Sequence, residues 1–229
     1  MAEVSVVIPT MDEEASIAAV IDEVRKALAG RDIEILTVDT HSTDRTNEIA
    51  AAKGARVIRE PRRGYGIAYK TGFAAVRGTY VLALDADLTY PPDAFPEFLA
   101  ALEADRADFV SGNRMSRFAG DAMSGMHRVG NAILNAAFRV LYRAPVHDSQ
   151  SGMWAFRRAI LPRLQLVHDG MAFSEELKVE VIRQGFRFLE IPIDYRVRVG
   201  DKKIRSVSDA TRNLVWLVRK RVGWVPRVA

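Results

Sequence analysis

Tyr80-Val81-Leu82-Ala83-Leu84-Asp85-Ala86-Asp87 is an apolar run of strand length that ends abruptly in two carboxylates. A continuous apolar run of this kind reads as a strand buried on both faces, as in a parallel sheet. Two carboxylates at i and i+2 just past the strand can both reach one cavity if the chain turns there. Hard divalent cations such as Mg²⁺ or Mn²⁺ take oxygen ligands, few of them from the protein and the rest from substrate phosphates. Such a cation neutralises charge as a diphosphate leaves. Taken alone, the same residues also read as a solvated acidic turn. What separates the two readings is the series of strands on either side.

Upstream, Val4–Ile8 and Ile33–Val38 are buried strands, and Arg56–Arg59 is a third, shorter one. Between them, residues 14–29 carry apolar positions at helical spacing (Ile17, Val20, Ile21, Val24, Leu28) and stop at Gly30. Ser42 or Thr43 is placed to cap a helix running to about Lys53, closed by Gly54. Residues 66–76 form a further helix before Gly78. Downstream, 92–104 is helical and Ala107–Ser111 is a fifth strand. This alternation predicts an α/β fold with a doubly wound, mostly parallel, Rossmann-like sheet and helices on both faces. In such sheets ligands sit beyond the carboxyl ends of the strands. The polar segments Pro9–Glu13, Asp39–Thr46, Asp85–Asp87 and Gly112–Arg117 all fall there. The later part predicts an amphipathic helix over 124–142 (Met126, Val129, Ile133, Leu134, Ala137, Phe138, Leu141). It also predicts a strand over Met153–Phe156, a helix over Phe173–Gln184, a strand over Phe188–Ile193 placed near an edge by Pro192, and a final helix over 206–222.

Apolar residues make up 48% of the 229, enough for a substantial core. Cysteine is absent, which excludes a disulfide scaffold, a zinc-thiolate site and a cysteine nucleophile. Met1-Ala-Glu3 and the short apolar run after it do not read as a signal peptide, and no apolar run has the length of a membrane span. The net charge of +4 is uneven: residues 196–229 hold ten Lys/Arg against Asp201 and Asp209, a local +8, leaving −4 elsewhere. Such a local excess points to phosphate groups or an anionic membrane surface. Nucleic acid is not the expected partner, because the segment has no RNA- or DNA-binding motif. Residues 211–222 combine an apolar cluster with a cationic end and, with Trp216 and Trp224, suit a membrane interface. They equally suit a helix packed on the domain with snorkelling basic side chains. The organisation expected is a catalytic domain over 1–205 and a basic amphipathic helix over 206–229.

Val7-Ile-Pro-Thr-Met-Asp-Glu13, Val38-Asp-Thr-His-Ser-Thr-Asp-Arg-Thr46 and Leu84-Asp-Ala-Asp87, in this order and spacing, resemble family 2 glycosyltransferases of the GT-A fold. Ser111–Arg114, Asp148-Ser-Gln-Ser-Gly152, Phe173-Ser-Glu-Glu176, Glu190–Ile193 and Tyr195–Lys203 resemble the dolichyl- or polyprenyl-phosphate hexosyltransferases within that family. The similarity covers about residues 4–205. It implies that Pro9, Glu13 and Asp39 line the nucleoside pocket. Asp85, Ala86 and Asp87 would meet metal and diphosphate, with Thr89 beside the metal, and Arg114, Arg198 and Lys203 would meet phosphates. Asp12 and Thr40 stand where the family often has Asn and Asp, which bears on base preference. The implied reaction is inverting transfer of a hexose from GDP-mannose or a UDP-hexose, with Mg²⁺ or Mn²⁺, to a polyprenyl or dolichyl phosphate. The implied setting is peripheral, at the cytoplasmic face of the membrane, with or without a membrane partner subunit. A hydroxyl acceptor would need a general base, for which Glu175 or Glu176 is placed; both also read as helix N-terminal charge. The rival readings are a nucleotidyltransferase, a transferase with a soluble acceptor, and an inactive nucleotide-sugar-binding module.

Overall fold

The computed structural model describes residues 2–117, 125–199 and 206–223. Its centre is a seven-stranded sheet: β1 (Val4–Thr10), β2 (Ile33–Asp39), β3 (Arg56–Arg59), β4 (Tyr80–Ala83), β5 (Phe109–Asn113), β6 (Trp154–Arg157) and β7 (Phe188–Pro192). The strand order is β3-β2-β1-β4-β6-β5-β7. β3, β2, β1 and β4 are parallel, with Val4 of β1 facing Ile33 on one side and Tyr80 on the other. β7 is parallel to β5 and lies at the edge, where Pro192 breaks no interior ladder.

One strand departs from the parallel direction of the others, within the mostly parallel sheet the sequence predicts. β6 lies antiparallel between β4 and β5, pairing Leu82 with Ala155 and Phe109 with Phe156. Its reversed direction brings the chain just before it, Asp148–Met153, to the carboxyl edge of β4. The sheet is thus mixed at the very strand that carries the two carboxylates.

Strand alternation sends side chains to two cores. Val4, Val6, Ile8 and Leu82 pack with α1 (Ile17–Ala27) and α4 (Phe95–Glu103). Val7, Leu36, Val38, Val81 and Ala83 pack with α3 (Tyr65–Ala75) and α6 (Phe173–Arg183). A third cluster joins α5 (Gly125–Tyr142), α6 and α7 (Ser206–Arg221) through Leu134, Phe138, Val179 and Leu217. Among the described residues no helix is long and apolar enough to cross a membrane.

α2 (Thr46–Ala52) begins later than the expected cap. Neither Ser42 nor Thr43 caps it. Asp44 Oδ1 instead accepts the Thr46 amide at 2.9 Å. Ser42 and Thr43 are committed elsewhere: the Asp12 amide donates to Ser42 Oγ at 2.9 Å, and the Thr43 amide donates to Asp12 Oδ1 at 2.7 Å. The first turn of α1 holds no acid. Glu14 accepts the Arg45 amide at 3.0 Å, so the loops after β1 and β2 cap one another. In α5, Leu134 and Phe138 are buried as the periodicity requires, but Met126, Val129 and Ile133 are exposed.

Candidate active site

The carboxyl ends of β1, β2 and β4 carry three loops whose backbones share a strain. Asp12, His41 and Leu88 have φ of 51°, 75° and 65°, a region that side chains with a Cβ rarely occupy. Such conformations persist only where the surroundings impose them, and they concentrate at binding sites. Around Leu88 the imposing contacts are visible: Asp87 Oδ1 accepts the Thr89 amide at 3.0 Å and the Thr89 hydroxyl at 2.6 Å. That turn folds Asp87 back beside Asp85.

Asp85 stands at the end of β4. Tyr65 and Tyr69, one helical turn apart on α3, donate their hydroxyls to Asp85 Oδ1 at 3.1 and 3.2 Å. Burial, and after it the Asp87 carboxylate, push Asp85 up to about 7 despite those two donors. Gly152, just before β6, closes the far side. A Cβ there would lie 2.5 Å from the Tyr65 hydroxyl and 3.3 Å from Asp85 Oδ2, so only glycine lets this loop approach.

Arg198 arrives from the segment after β7. Its Nη2 lies 3.2 Å from Asp87 Oδ2 and 3.6 Å from Glu13 Oε1. Its Nε is buried without a hydrogen-bond partner among the described residues. The segment is laid over the β4 turn by backbone bonds from Arg196 N to Thr89 O at 2.9 Å and from Val199 N to Asp87 O at 3.0 Å. Asp39 faces the same edge, its carboxylate accepting the Ser42 amide at 3.2 Å. The structure therefore brings together Pro9, Glu13, Asp39, Asp85, Ala86, Asp87, Thr89 and Arg198. Lys203 lies outside the described residues.

A cation fits this edge. Two carboxylates converge, burial and then their mutual repulsion raise one of them, and the unused Nε of Arg198 suits the anionic diphosphate that would accompany the metal. Among the described residues no group of three or more His, Cys, Asp or Glu side chains is placed to hold a metal. Asp85 and Asp87 would then supply the protein ligands and a bound diphosphate and water the remainder.

Arg114 and Glu176 are engaged differently from the sequence expectation. The Arg114 guanidinium forks onto Asp148, with Nε and Nη2 each 2.8 Å from a carboxylate oxygen, and the Arg114 amide joins at 2.9 Å. Both residues are buried, and the guanidinium lies 5.3 Å over the Tyr195 ring. The Arg114 cation holds Asp148 below the usual carboxylate range, although burial pulls the other way. Arg114 thus ties the loop after β5 to the loop before β6, with its Nε and Nη2 committed to Asp148.

Glu176 is fully buried. Its Oε2 accepts the amides of Val167 and His168 at 3.0 and 2.7 Å, and Lys220 of α7 lies 3.1 Å from Oε1. It shapes the loop 167–169, whose carbonyl at Asp169 accepts the Gly66 amide of α3 at 2.9 Å. Glu175 is buried too, and its oxygens have no well-formed hydrogen bond among the described residues although the Ser149 and Gln150 side chains lie close; burial pushes it up to about 8 against the pull of Lys178 and of those two side chains.

Several residues that build the site were given no individual role by the sequence, although Asp148 and Gly152 lie in a motif that carries the family resemblance. Asp148 and Gly152 sit in a polar run before an apolar strand, a signal that marks a loop and not its partners. Lys178 falls within the expected helix Phe173–Gln184 and was given no role there. It is wholly buried, donating to the carbonyls of Ser149 and Ser151, each at 2.8 Å, and burial lowers it to about 8.

Residues 5–164 match the family described as glycosyl transferase family 2. The low-salt glycan biosynthesis hexosyltransferase Agl6 of Haloferax volcanii is 36% identical over 225 residues, 96% of this chain and 54% of that protein. The chain thus spans about half the length of that relative. The dolichyl-phosphate hexose transferase of the same organism is 36% identical over 202 residues, 88% of this chain and 86% of its own length. Among solved structures, glucosyl-3-phosphoglycerate synthase from Mycobacterium tuberculosis, in complex with Mn²⁺, UDP and glucosyl-3-phosphoglycerate, superposes with a TM-score of 0.78 at 25% identity. That match covers 98% of this chain and 81% of the other. The same enzyme has also been solved with Mg²⁺ and UDP. The chain belongs to glycosyl transferase family 2, a family of glycosyl-transferring enzymes, and its fold is GT-A. The motif resemblance to the dolichyl-phosphate hexosyltransferase group holds as well.

Proposed function

We propose that the protein transfers a hexose, with inversion, from GDP-mannose or a UDP-hexose to a polyprenyl or dolichyl phosphate, using Mg²⁺ or Mn²⁺. The observation that carries this reading is the turn Asp85-Ala86-Asp87-Leu88-Thr89 with Arg198 against it, set where the loops of Pro9–Glu13 and Asp39 also converge. A divalent cation bound there would neutralise the diphosphate as it leaves. Asp85 and Asp87 would hold it, with Thr89 fixing the Asp87 carboxylate. Arg198, with Lys203, would take charge from the departing phosphates. Glu13 and Asp39 would border the nucleoside.

What α6 does not offer supports the choice of acceptor. A hydroxyl acceptor needs a base that is ionised near neutral pH. Glu176 is committed to two amides and Lys220, and Glu175 is held protonated by its burial. A lipid phosphate is already anionic and needs no base. The dolichyl-phosphate hexose transferase supports this choice. A soluble phosphorylated acceptor is the second reading, favoured by the glucosyl-3-phosphoglycerate synthase complex with glycerol 3-phosphate. In the first reading residues 1–205 form the catalytic unit, 206–229 a helix at the lipid surface, and the enzyme works peripherally at the cytoplasmic face.

The test is transfer from radiolabelled GDP-mannose and UDP-glucose to polyprenyl phosphate or to 3-phosphoglycerate, with Mn²⁺ or with chelator. The expected outcome is metal-dependent labelling of the lipid, lowered by roughly 10²–10³-fold in Asp87→Ala, the scale of losing one preorganised electrostatic element. Labelling of phosphoglycerate alone would select the soluble acceptor. Unchanged turnover in Asp87→Ala would remove the metal reading.

A further inference from the structure

The carboxylates of Asp85 and Asp87 are held by the same arrangement. Asp87 Oδ1 takes two donors, the Thr89 amide and hydroxyl at 3.0 and 2.6 Å, and Asp87 Oδ2 lies 3.2 Å from Arg198 Nη2. Asp85 Oδ1 also takes two donors, the hydroxyls of Tyr65 and Tyr69 at 3.1 and 3.2 Å. Asp85 Oδ2 lies beside Gly152, where a Cβ would come within 3.3 Å of it. A carboxylate oxygen has about two lone-pair positions. In both residues, then, Oδ1 is filled and Oδ2 is the oxygen with capacity left for a ligand.

A buried phenol needs a hydrogen-bond partner, and that need alone would bring one tyrosine to Asp85. It does not account for two tyrosines choosing the same oxygen, nor for a glycine beside the other. The two rings have little freedom. Tyr69 is wholly buried, stacked on Phe173 with centroids 5.8 Å apart and lying 4.8 Å from Trp154, and Tyr65 meets it edge-on at 4.9 Å. The loop facing Oδ2 is fixed as well, because the Gly152 amide donates to the Tyr90 hydroxyl at 2.7 Å. By contrast, χ2 of an aspartate is a broad, soft torsion. The two hydroxyls therefore decide how the Asp85 carboxylate is turned.

That orientation bears on which cation fits. Mg²⁺ demands near-octahedral coordination at about 2.0–2.1 Å and takes one or two carboxylates, the rest coming from phosphates and water. Mn²⁺ suits the same octahedral oxygen set. Ca²⁺ takes about 6–8 oxygens at about 2.3–2.6 Å and readily uses both oxygens of a carboxylate. A carboxylate whose Oδ1 is held by two hydroxyls offers one oxygen and cannot turn both to the ion.

We propose that Tyr65 and Tyr69 are positioning residues that set the cation selectivity of this edge. By holding Asp85 Oδ1 they restrict the carboxylate to a single ligand oxygen, which admits Mg²⁺ and Mn²⁺ and disfavours Ca²⁺. This deepens the metal-dependent transferase reading and rests on it.

The experiment titrates Mn²⁺, Mg²⁺ or Ca²⁺ into the full chain at a fixed concentration of GDP or UDP and follows the unfolding midpoint. A cation and nucleotide that bind the native state raise it, and the cation concentration giving half the rise measures cation binding. The proteins are the wild type, Tyr65→Phe, Tyr69→Phe, the double variant Tyr65→Phe/Tyr69→Phe, and Tyr80→Phe, which removes a hydroxyl at the opposite end of β4, as control. The wild type and Tyr80→Phe should need far less Mn²⁺ or Mg²⁺ than Ca²⁺. In the double variant the half-saturating Mn²⁺ and Mg²⁺ should rise by roughly 10–100-fold, the usual loss when a hydrogen-bond partner of a metal ligand is removed. Ca²⁺ should change little, so the preference shrinks by about the same factor. A purely structural role would lower the midpoint without cation and leave the ratio of half-saturating concentrations as it was. A wild-type ratio in the double variant therefore overturns the proposal, and so does a wild type that takes Ca²⁺ as readily as Mn²⁺. Should the double variant not fold, Tyr65→Phe, whose ring is only partly buried, decides in its place: an unchanged ratio there overturns the proposal. A wild type whose midpoint no cation moves, with either nucleotide, removes the metal reading and the proposal with it. A Mn²⁺-dependent rise with an unchanged ratio removes the positioning role alone.

Discussion

At the scale of single residues, the site is held by buried charges that are either fully paired or conspicuously unpaired. Arg114 and Asp148 are the paired case. Removing one partner of a buried pair leaves an uncompensated charge and costs about 3–5 kcal/mol, whereas replacing both by apolar groups is often nearly neutral. Arg114→Met should therefore destabilise strongly, and Arg114→Met/Asp148→Leu should recover much of the loss. Urea unfolding checks this; a stable Arg114→Met that has lost only turnover would return Arg114 to a phosphate-binding role. Glu175 is the unpaired case. Its folded value, about 8, lies above the 4.5 of an ordinary glutamate. A raised value means that the stability contributed by its neutral form is fully present below about 4.5 and is lost as pH rises through about 8. The charged neighbours that oppose this are few: Lys178 on the same helix favours the ionised form, while the Tyr142 phenol of α5 is neutral in this range. Glu175→Gln should flatten that fall and be the more stable protein at alkaline pH, as read by unfolding midpoints across the pH range. A parallel pH profile for the two proteins would show that Glu175 ionises freely in the fold.

At the scale of elements, α7 is joined to the body by more than apolar packing. Lys220 is buried between Glu176 and Glu180 of α6, at 3.1 and 3.0 Å. Lys220→Met keeps the stem and removes the charge, leaving two carboxylates facing each other in the interior. The expected result is a loss of about 3–5 kcal/mol and faster hydrogen exchange at the Val167 and His168 amides, whose acceptor is Glu176. Slow exchange persisting there in Lys220→Met would mean that α7 does not brace the loop. Elements also show what the sequence could and could not disclose. The strands of the first half were legible because each is a short apolar run ended by Gly, Pro or a carboxylate. The direction of β6 was not, since Trp154-Ala-Phe-Arg157 reads the same in either orientation and only its pairing with both Leu82 and Val110 fixes it. The entry of α2 was misplaced for a related reason. Ser42 and Thr43 are good caps locally, but Asp12, thirty residues away in sequence, takes them first. In α5 the period gave the helix and not which apolar residues face inward, because both faces carry an apolar stripe.

At the scale of the whole molecule, the convergence of the candidate residues on one edge was legible because topology does the collecting. Parallel strands deliver their carboxyl ends to one side, so Glu13, Asp39, Asp85 and Asp87 converge although 74 residues separate the first from the last. The supports behind them were illegible: Arg114 with Asp148, Lys178 with Ser149 and Ser151, and Lys220 with Glu176 join segments whose spacing carries no periodic signal. The same convergence yields the most general prediction. A ligand bound only by the native state stabilises it by RT ln(1 + [L]/Kd), about 2.7 kcal/mol at a hundredfold excess over Kd. For a chain of this length each kcal/mol moves the midpoint by about 2–4 °C. A nucleoside diphosphate sugar that fits should therefore raise the midpoint by roughly 5–10 °C at that excess. The rise should need Mn²⁺ or Mg²⁺, because without a cation the diphosphate meets the Asp85 and Asp87 carboxylates directly. Comparing GDP, UDP, GDP-mannose and UDP-glucose, each with metal or chelator, reads base and sugar from which of them shifts. A shift that is equal in chelator would place the nucleotide away from the two carboxylates, and Arg198, 3.2 Å from Asp87, would then be pairing with it for the fold alone.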